Sequence, residues 1–286
     1  MKKYRGVAVA ATVAVVVTVS LSFAPVRAMA SDFLSIFRVN NFQTVTISPN
    51  DLSQIQKSLR QGAGKVTLGN IGQVEMNKTG VNGGVTLGEA KGSVDFPLLI
   101  PQTPPTGDTL KGYQRRSGTT LNFTLDTQKT NDILKSFGAT TLLPNTLNGK
   151  SFTVKIPVVI SAAYEGPENL TITQTRSPEL TAPSDTDINT IRDAILALPF
   201  LPEDLRAQLA SINDWQHTFV VPSLNGSTQN TTVAGSAGVF ITAPPESKKQ
   251  KNSINNALLW QKDGVIYAIT GNFTLEQGLI VANSMK

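Results

Sequence analysis

Cysteine is absent from the 286 residues. No disulfide, thiolate nucleophile or cysteine-bearing metal site can form, and an exported domain of this kind is held by its core alone. A single histidine, His217, rules out a multi-histidine metal site within one chain. Charge is scarce too: Asp, Glu, Lys and Arg make up 16 % of the chain, below the usual quarter. Thr, Ser, Asn, Gln and Gly take their place, a mixture that suits strands and turns better than long surface helices. The length allows one large domain or two small ones, each with its own core.

The formal charge of +5 suggests a basic surface, but its distribution says otherwise. Lys2, Lys3, Arg5 and Arg27 all lie in the first thirty positions, which contain no acidic residue. The remainder carries 21 basic against 20 acidic residues and is close to neutral. A nucleic-acid partner thereby loses its main electrostatic support.

What the chain has, at its start, is a long apolar run. MKKYRG precedes VAVAATVAVVVTVSLSFA, eighteen residues without a charge. Cations ahead of such a run mark a secretory signal or an amino-terminal membrane anchor. As a helix the run would span roughly 27 Å, close to the hydrocarbon thickness. Ala28-Met29-Ala30 offers a cleavage site, whereas Pro25-Val26-Arg27 and the length of the run suit an uncleaved anchor. Both readings stay open: residues 1–30 are a signal peptide or an anchor through residues 7–24. In either case residues 31–286 lie outside the cytoplasm, on the cell membrane or secreted after Ala30.

Residues 31–286 are predicted to form an α+β region, with a division into 31–145 and 146–286 left open. FLSIFRVNNFQTVTI begins apolar and ends in alternation, which predicts a helical lead-in followed by a strand. Ser48 caps a helix entered through Pro49, with Leu52, Ile55 and Leu59 on one face and Gly62 as its stop. Thr86 and Glu89 form a capping box over TLGEAKGSV, and the prolines of DFPLLIPQTPP force extended geometry after it. LNFTLD reads as a strand, and TNDILKSFG as a short helix ended by Gly138. SFTVKIPVVI is the clearest alternation in the chain, entered through an Asn148-Gly149 turn and paired with LTITQT. Pro157 falls on its other face, at an edge or a bulge.

Residues 185–213 hold two helical patterns separated by LPFLP, a helical hairpin inserted between strands. TTVAGSAGVFIT and ALLWQK-DG-VIYAIT return to strands and turns. PPESKKQKNS between them is a loop, whose Lys248, Lys249 and Lys251 form a solvated face. Thr274 and Gln277 then cap a last helix with Leu275, Leu279 and Ile280 as its apolar side.

Chemistry-bearing motifs are sparse. Gly149-Lys150-Ser151 lacks the glycine five residues upstream that a phosphate loop requires, since position 144 is proline, and reads as a hairpin turn. His217 beside Asp214 and Trp215 resembles half of an acid–base pair, but no G-x-S-x-G or S-x-x-K places a nucleophile. Glu165, Glu168 and Glu179 surround a Pro-Gly loop without the spacing of a glycosidase dyad. No calcium-loop pattern occurs, and sequons such as Asn225 with Ser227 arise by chance in a chain rich in Asn and Thr. No residue is assigned a catalytic, cofactor-binding or metal-binding role. The candidate partner contact is the tip of the helical hairpin, Leu198, Phe200 and Leu201, which is a contact if exposed and core if folded inward. A concavity between a curved sheet and its helices is the other candidate site.

Three passages carry a family resemblance: FLSIFRVNNFQTVTIS, TLGEAKGSVDFPLLIP and LLWQKDGVIYAITGNFTLEQGLIVANSM. They resemble an uncharacterised group of extracytoplasmic domains from Gram-positive bacteria, often found on membrane-anchored anti-sigma-factor-like proteins. That group is distantly similar to the lipoprotein-carrier and sigma-regulator half-barrels. The resemblance implies a curved antiparallel, half-barrel-like sheet carrying helices. It defines no catalytic residue. Only six residues precede the apolar run, so a cytoplasmic sigma-binding domain has no room there. The expected function is a non-enzymatic binding or sensory protein of the bacterial cell envelope, without cofactor, whose partner is an envelope protein or lipid. The alternatives are a regulatory subunit on an anti-sigma-type membrane protein and a lipid or lipoprotein carrier.

Overall fold

Alternating apolar positions drive much of the chain into strands, and among the described residues the strands fall into three sheets. The computed structural model describes residues 33–38, 41–62, 72–104, 107–224, 227–242 and 256–286. A five-stranded antiparallel sheet has the order β1 (Phe33–Arg38), β10 (Glu179–Pro183), β7 (Ser151–Ile156), β6 (Gly118–Leu125), β3 (Gly72–Thr79). An eight-stranded antiparallel sheet runs β12 (Thr228–Val233), β13 (Ser236–Thr242), β14 (Asn256–Lys262), β15 (Val265–Gly271), β9 (Thr171–Arg176), β8 (Val159–Glu165), β5 (Thr109–Arg116), β4 (Gly83–Val85). Separately, β2 (Asn41–Ile47) and β11 (Thr218–Leu224) pair in parallel. The fold is α+β, with mostly antiparallel sheets and no closed barrel.

The two large sheets are joined by the chain itself. Four times a strand of one sheet continues, after a short break, into a strand of the other. The breaks fall at residues 80–82, at Ser117, at Pro157-Val158 and at Ser177-Pro178. Each has a local cause. Pro157 and Pro178 lack the N–H that a ladder requires. Gly80 takes a positive φ of 92°, and the Asn82 side chain accepts from the Ser117 N–H at 2.7 Å. SFTVKIPVVI is therefore two strands in two sheets, and Pro157 marks where it leaves one for the other. Both sheets draw strands from either side of residue 145, so a cut there would sever each of them.

The opening strand differs from expectation. Phe33–Arg38 forms β1 and not a helical lead-in, pairing antiparallel with β10 through a shift between Ser35 and Phe37. A short apolar run fits either period, and the free edge of β10 decides the outcome by taking up its backbone groups.

The larger core lies on one face of the eight-stranded sheet. Ile160, Ala162 and Tyr164 alternate along β8, Leu258 and Trp260 along β14, and Val265, Tyr267 and Ile269 along β15. Trp260 stacks on its cross-strand partner Tyr267, with centroids 5.2 Å apart. Burying a side chain of this size contributes about 1.5–3 kcal/mol. The cover consists of helix α2 (Leu87–Gly92), an extended strap over residues 94–104, and helix α6 (Leu275–Asn283). The Gln174 amide clamps the strap, accepting from Leu99 N–H at 2.9 Å and donating to its carbonyl at 2.7 Å. Ile100 exchanges both backbone bonds with Lys286. Ala90, Phe96, Leu98, Val281, Ala282 and Met285 fill the space beneath, so the interior between sheet and cover is packed.

The capping boxes form as read, Thr86 with Glu89 and Thr274 with Gln277. Helix α1 (Pro49–Gly62) opens with Ser48 and Asp51 bonded reciprocally. Helix α3 (Thr127–Ser136) is followed by Gly138 at φ 82°. Helices α4 (Ile188–Leu196) and α5 (Glu203–Ala210) stand between β10 and β11. One expected face is corrected: Ile280 is 53 % exposed, while Val281 and Ala282 are buried and Leu275 and Leu279 partly so. The helix meets the sheet one position round from the predicted stripe.

Candidate functional site

The junction of the two large sheets holds an open groove of about 500 Å³. Its lining comes from every passage between the sheets: Thr79, Gly118 to Thr120, Lys155 to Val158, and Arg176, Ser177 and Glu179, with Asp95 from the strap. The breaks that end each strand thus also build the cleft. Gly118 forms part of its floor. A Cβ there would stand 2.9 Å from Thr79 Oγ1 and 3.2 Å from the Ile156 carbonyl oxygen, so a side chain would have to displace the Thr79 hydroxyl and crowd the β7 backbone.

Arg176, the last residue of β9, organises one wall. Its Nε donates to the Asp95 carboxylate at 3.0 and 3.3 Å, and Nη1 donates to the Asp263 carbonyl at 2.9 Å. The guanidinium also lies 5.4 Å from the centroid of the Phe96 ring. One side chain thus ties the strap to the β14–β15 turn, where Asp263 and Gly264 take φ of 52° and 73°. Hydrogen bonding from Arg176 holds the Asp95 carboxyl below the usual aspartate range.

The opposite wall is polar and less committed. Lys155 is in β7, the middle strand of the five, facing Thr120 on β6 and Glu179 on β10 in register. Glu179 has partners of its own. Lys155 is exposed, and its side chain makes no ion pair or hydrogen bond among the described residues. Among the described residues the groove holds two cations and two carboxylates, with threonine hydroxyls and the apolar side chains of Ile156, Pro157 and Val158 beside them. Its recognition chemistry is hydrogen bonding and single charges.

The residues singled out in the sequence are placed elsewhere. Phe200 and Leu201 are buried and Leu198 partly so, in a cluster with Val45, Ile47, Ile55 and Leu205. Phe200 meets Phe137 edge-on at 5.2 Å, and Arg206 Nη2 donates to the carbonyls of Leu198 and Leu201. At the LPFLP tip Phe200, Leu201 and Pro202 are folded inward, and Pro199 is the exposed residue. His217 Nδ1 lies 2.7 Å from Asp214 Oδ1 on an exposed turn, and neither side chain makes another hydrogen bond among the described residues. Glu165 pairs with Lys111 at 2.8 Å, Glu168 with Gln277 at 3.2 Å, and Lys150 with Asp185 at 3.0 Å. These groups are not brought together; only Glu179 reaches the groove. The leader, Asn225, and Lys248, Lys249 and Lys251 lie outside the described residues.

Among the described residues no group of three His, Asp or Glu is placed to hold a metal ion. No helix among them is long and apolar enough to cross a membrane. No family model matches the chain, and neither a curated protein nor a solved structure matches it.

Proposed function

We propose that this chain is a non-enzymatic extracytoplasmic binding or sensory protein of the bacterial cell envelope, and that the junction groove is its recognition site. The observation that carries this reading is a contrast within one molecule. The face of the larger sheet that would hold an apolar ligand is filled by aromatic side chains, the strap and α6, whereas the charge-lined groove, mixed polar and apolar, stands open to solvent. Such a groove suits a polar envelope polymer or a polar segment of an envelope protein better than an acyl chain. The lipid- and lipoprotein-carrier alternative loses its cavity on this view.

The cationic start and apolar run support delivery across the membrane, with residues 7–24 as anchor or signal. The eight-stranded sheet, covered on one face by a strap and a terminal helix, is the half-barrel-like element of this reading. The regulatory alternative keeps the same site: the groove would receive a polar extracytoplasmic segment of an anti-sigma-type membrane protein.

Co-sedimentation tests the reading. The protein should sediment with purified cell-wall material or with the wall-associated protein fraction, and should leave phospholipid vesicles unbound apart from insertion of its amino terminus. Stoichiometric phospholipid retained by the protein in native mass spectra, and lost only on denaturation, would restore the carrier reading.

A further inference from the structure

A lysine in the middle strand of a sheet usually finds a cross-strand carboxylate or is screened by its neighbours. Lys155 faces Glu179 across the strands but forms no ion pair with it among the described residues. Arg176 and Asp95 are committed to each other, and Glu179 is engaged, so among the described lining residues the Lys155 ammonium is the charge left uncommitted. The hydroxyls of Thr79 and Thr120 likewise make no hydrogen bond among the described residues. Both belong with Lys155 by register: Thr120 is its direct partner, and Thr79 pairs with Gly118, two residues before Thr120 on β6. The Thr79 hydroxyl lies over Gly118, where a Cβ would crowd it.

The geometry points to a binding site for one monovalent oxyanion, a carboxylate or a phosphodiester, held by Lys155 and the hydroxyls of Thr79 and Thr120. This deepens the reading of the groove as the recognition site and rests on it. An ammonium is a compact point charge with rotatable donors, so it takes either oxyanion. The two rim carboxylates, Asp95 and Glu179, set the limit on charge. A dense polyanion would meet both carboxylates, whereas a single negative group at Lys155 meets chiefly its in-register neighbour Glu179. Carboxylates of envelope peptides and phosphodiesters of wall polymers both satisfy this chemistry.

The full chain in detergent, with methyl-labelled threonine, allows the site to be read by NMR. Sodium acetate represents the carboxylate, dimethyl phosphate the phosphodiester, and sodium chloride at equal ionic strength the control. The expected result is a saturable shift of the Thr79 and Thr120 methyl signals with acetate, dimethyl phosphate or both, the pattern naming the source. Lys155→Gln should weaken that response about ten-fold, the loss of one charge-assisted hydrogen bond, without changing Tm. Thr120→Val should weaken it less. Shifts equal to those with chloride, or a saturable response untouched by Lys155→Gln, would overturn the site. Retention of cell-wall sedimentation by Lys155→Gln would also overturn it while leaving the groove as the recognition surface. Failure of the unaltered chain to sediment would sink the broader reading instead, even if both small anions bound.

Discussion

Arg176 shows how much of this molecule turns on one side chain. It bonds the Asp95 carboxylate and the Asp263 carbonyl and covers Phe96, so it joins the strap, β9 and the closing hairpin at one point. Arg176→Lys keeps the charge but loses the planar fork and the ring contact, and should cost about 1–2 kcal/mol in denaturant unfolding. The Asp95 side of the contact behaves differently. Its side chain is 75 % exposed, so solvent screening limits the ion pair to a few tenths of a kcal/mol, roughly. Its folded pKa is lowered, so the contribution is present above the ordinary aspartate value and is lost as pH falls through the lower folded one. The Tm gap between the unaltered chain and Asp95→Asn should therefore be steady at neutral pH and close below about pH 4. Tyr164 makes the alkaline counterpart. Burial, helped by Tyr113, pushes its pKa up to about 12. With the folded value raised, its contribution is full below about pH 10, the unfolded value, and is lost as pH rises toward the folded one. Absorbance at 295 nm should show its ionisation delayed past that of a free tyrosine, or coinciding with unfolding.

Among the elements, α6 carries the sharpest test of packing against propensity. Gly278 lies inside the helix, where replacement by alanine ordinarily stabilises by about 1 kcal/mol. Here a Cβ would stand 2.6 Å from the Phe273 ring, which is buried. Gly278→Ala should lower Tm, because the ring must move out of the core, and the propensity gain is smaller than that cost. The same region shows why some elements were legible from sequence and others not. The caps and the Asp263-Gly264 and Asn148-Gly149 turns are local: side chain and backbone answer each other within four residues, so spacing alone reveals them. The identity of β1 depends on β10, more than 140 residues later, and periodicity in FLSIFR cannot report that. The buried face of α6 slips by one position because the tertiary contact with Phe273 and Leu258, and not the apolar count, sets its rotation.

At the scale of the molecule, the two large sheets share four chain passages, and the site lies where those passages break. That origin explains why the groove was invisible in the sequence. Its lining residues come from five separate segments, each of which reads locally as a strand end or a turn. One break had a local sign: the sequence places Pro157 at an edge or a bulge of a single strand, and the structure ends one strand there and starts another in the second sheet. LPFLP drew attention as the more apolar feature, but its chemistry is that of a core, and the structure uses it so. Hydrogen-exchange mass spectrometry of the full chain, with and without purified cell-wall material, tests most directly whether the junction is where this protein meets its partner. Slowed exchange should centre on residues 117–120, 155–158 and 176–179. Protection confined to other surfaces, such as the β12 edge or the His217 turn, with the junction unchanged, would contradict it.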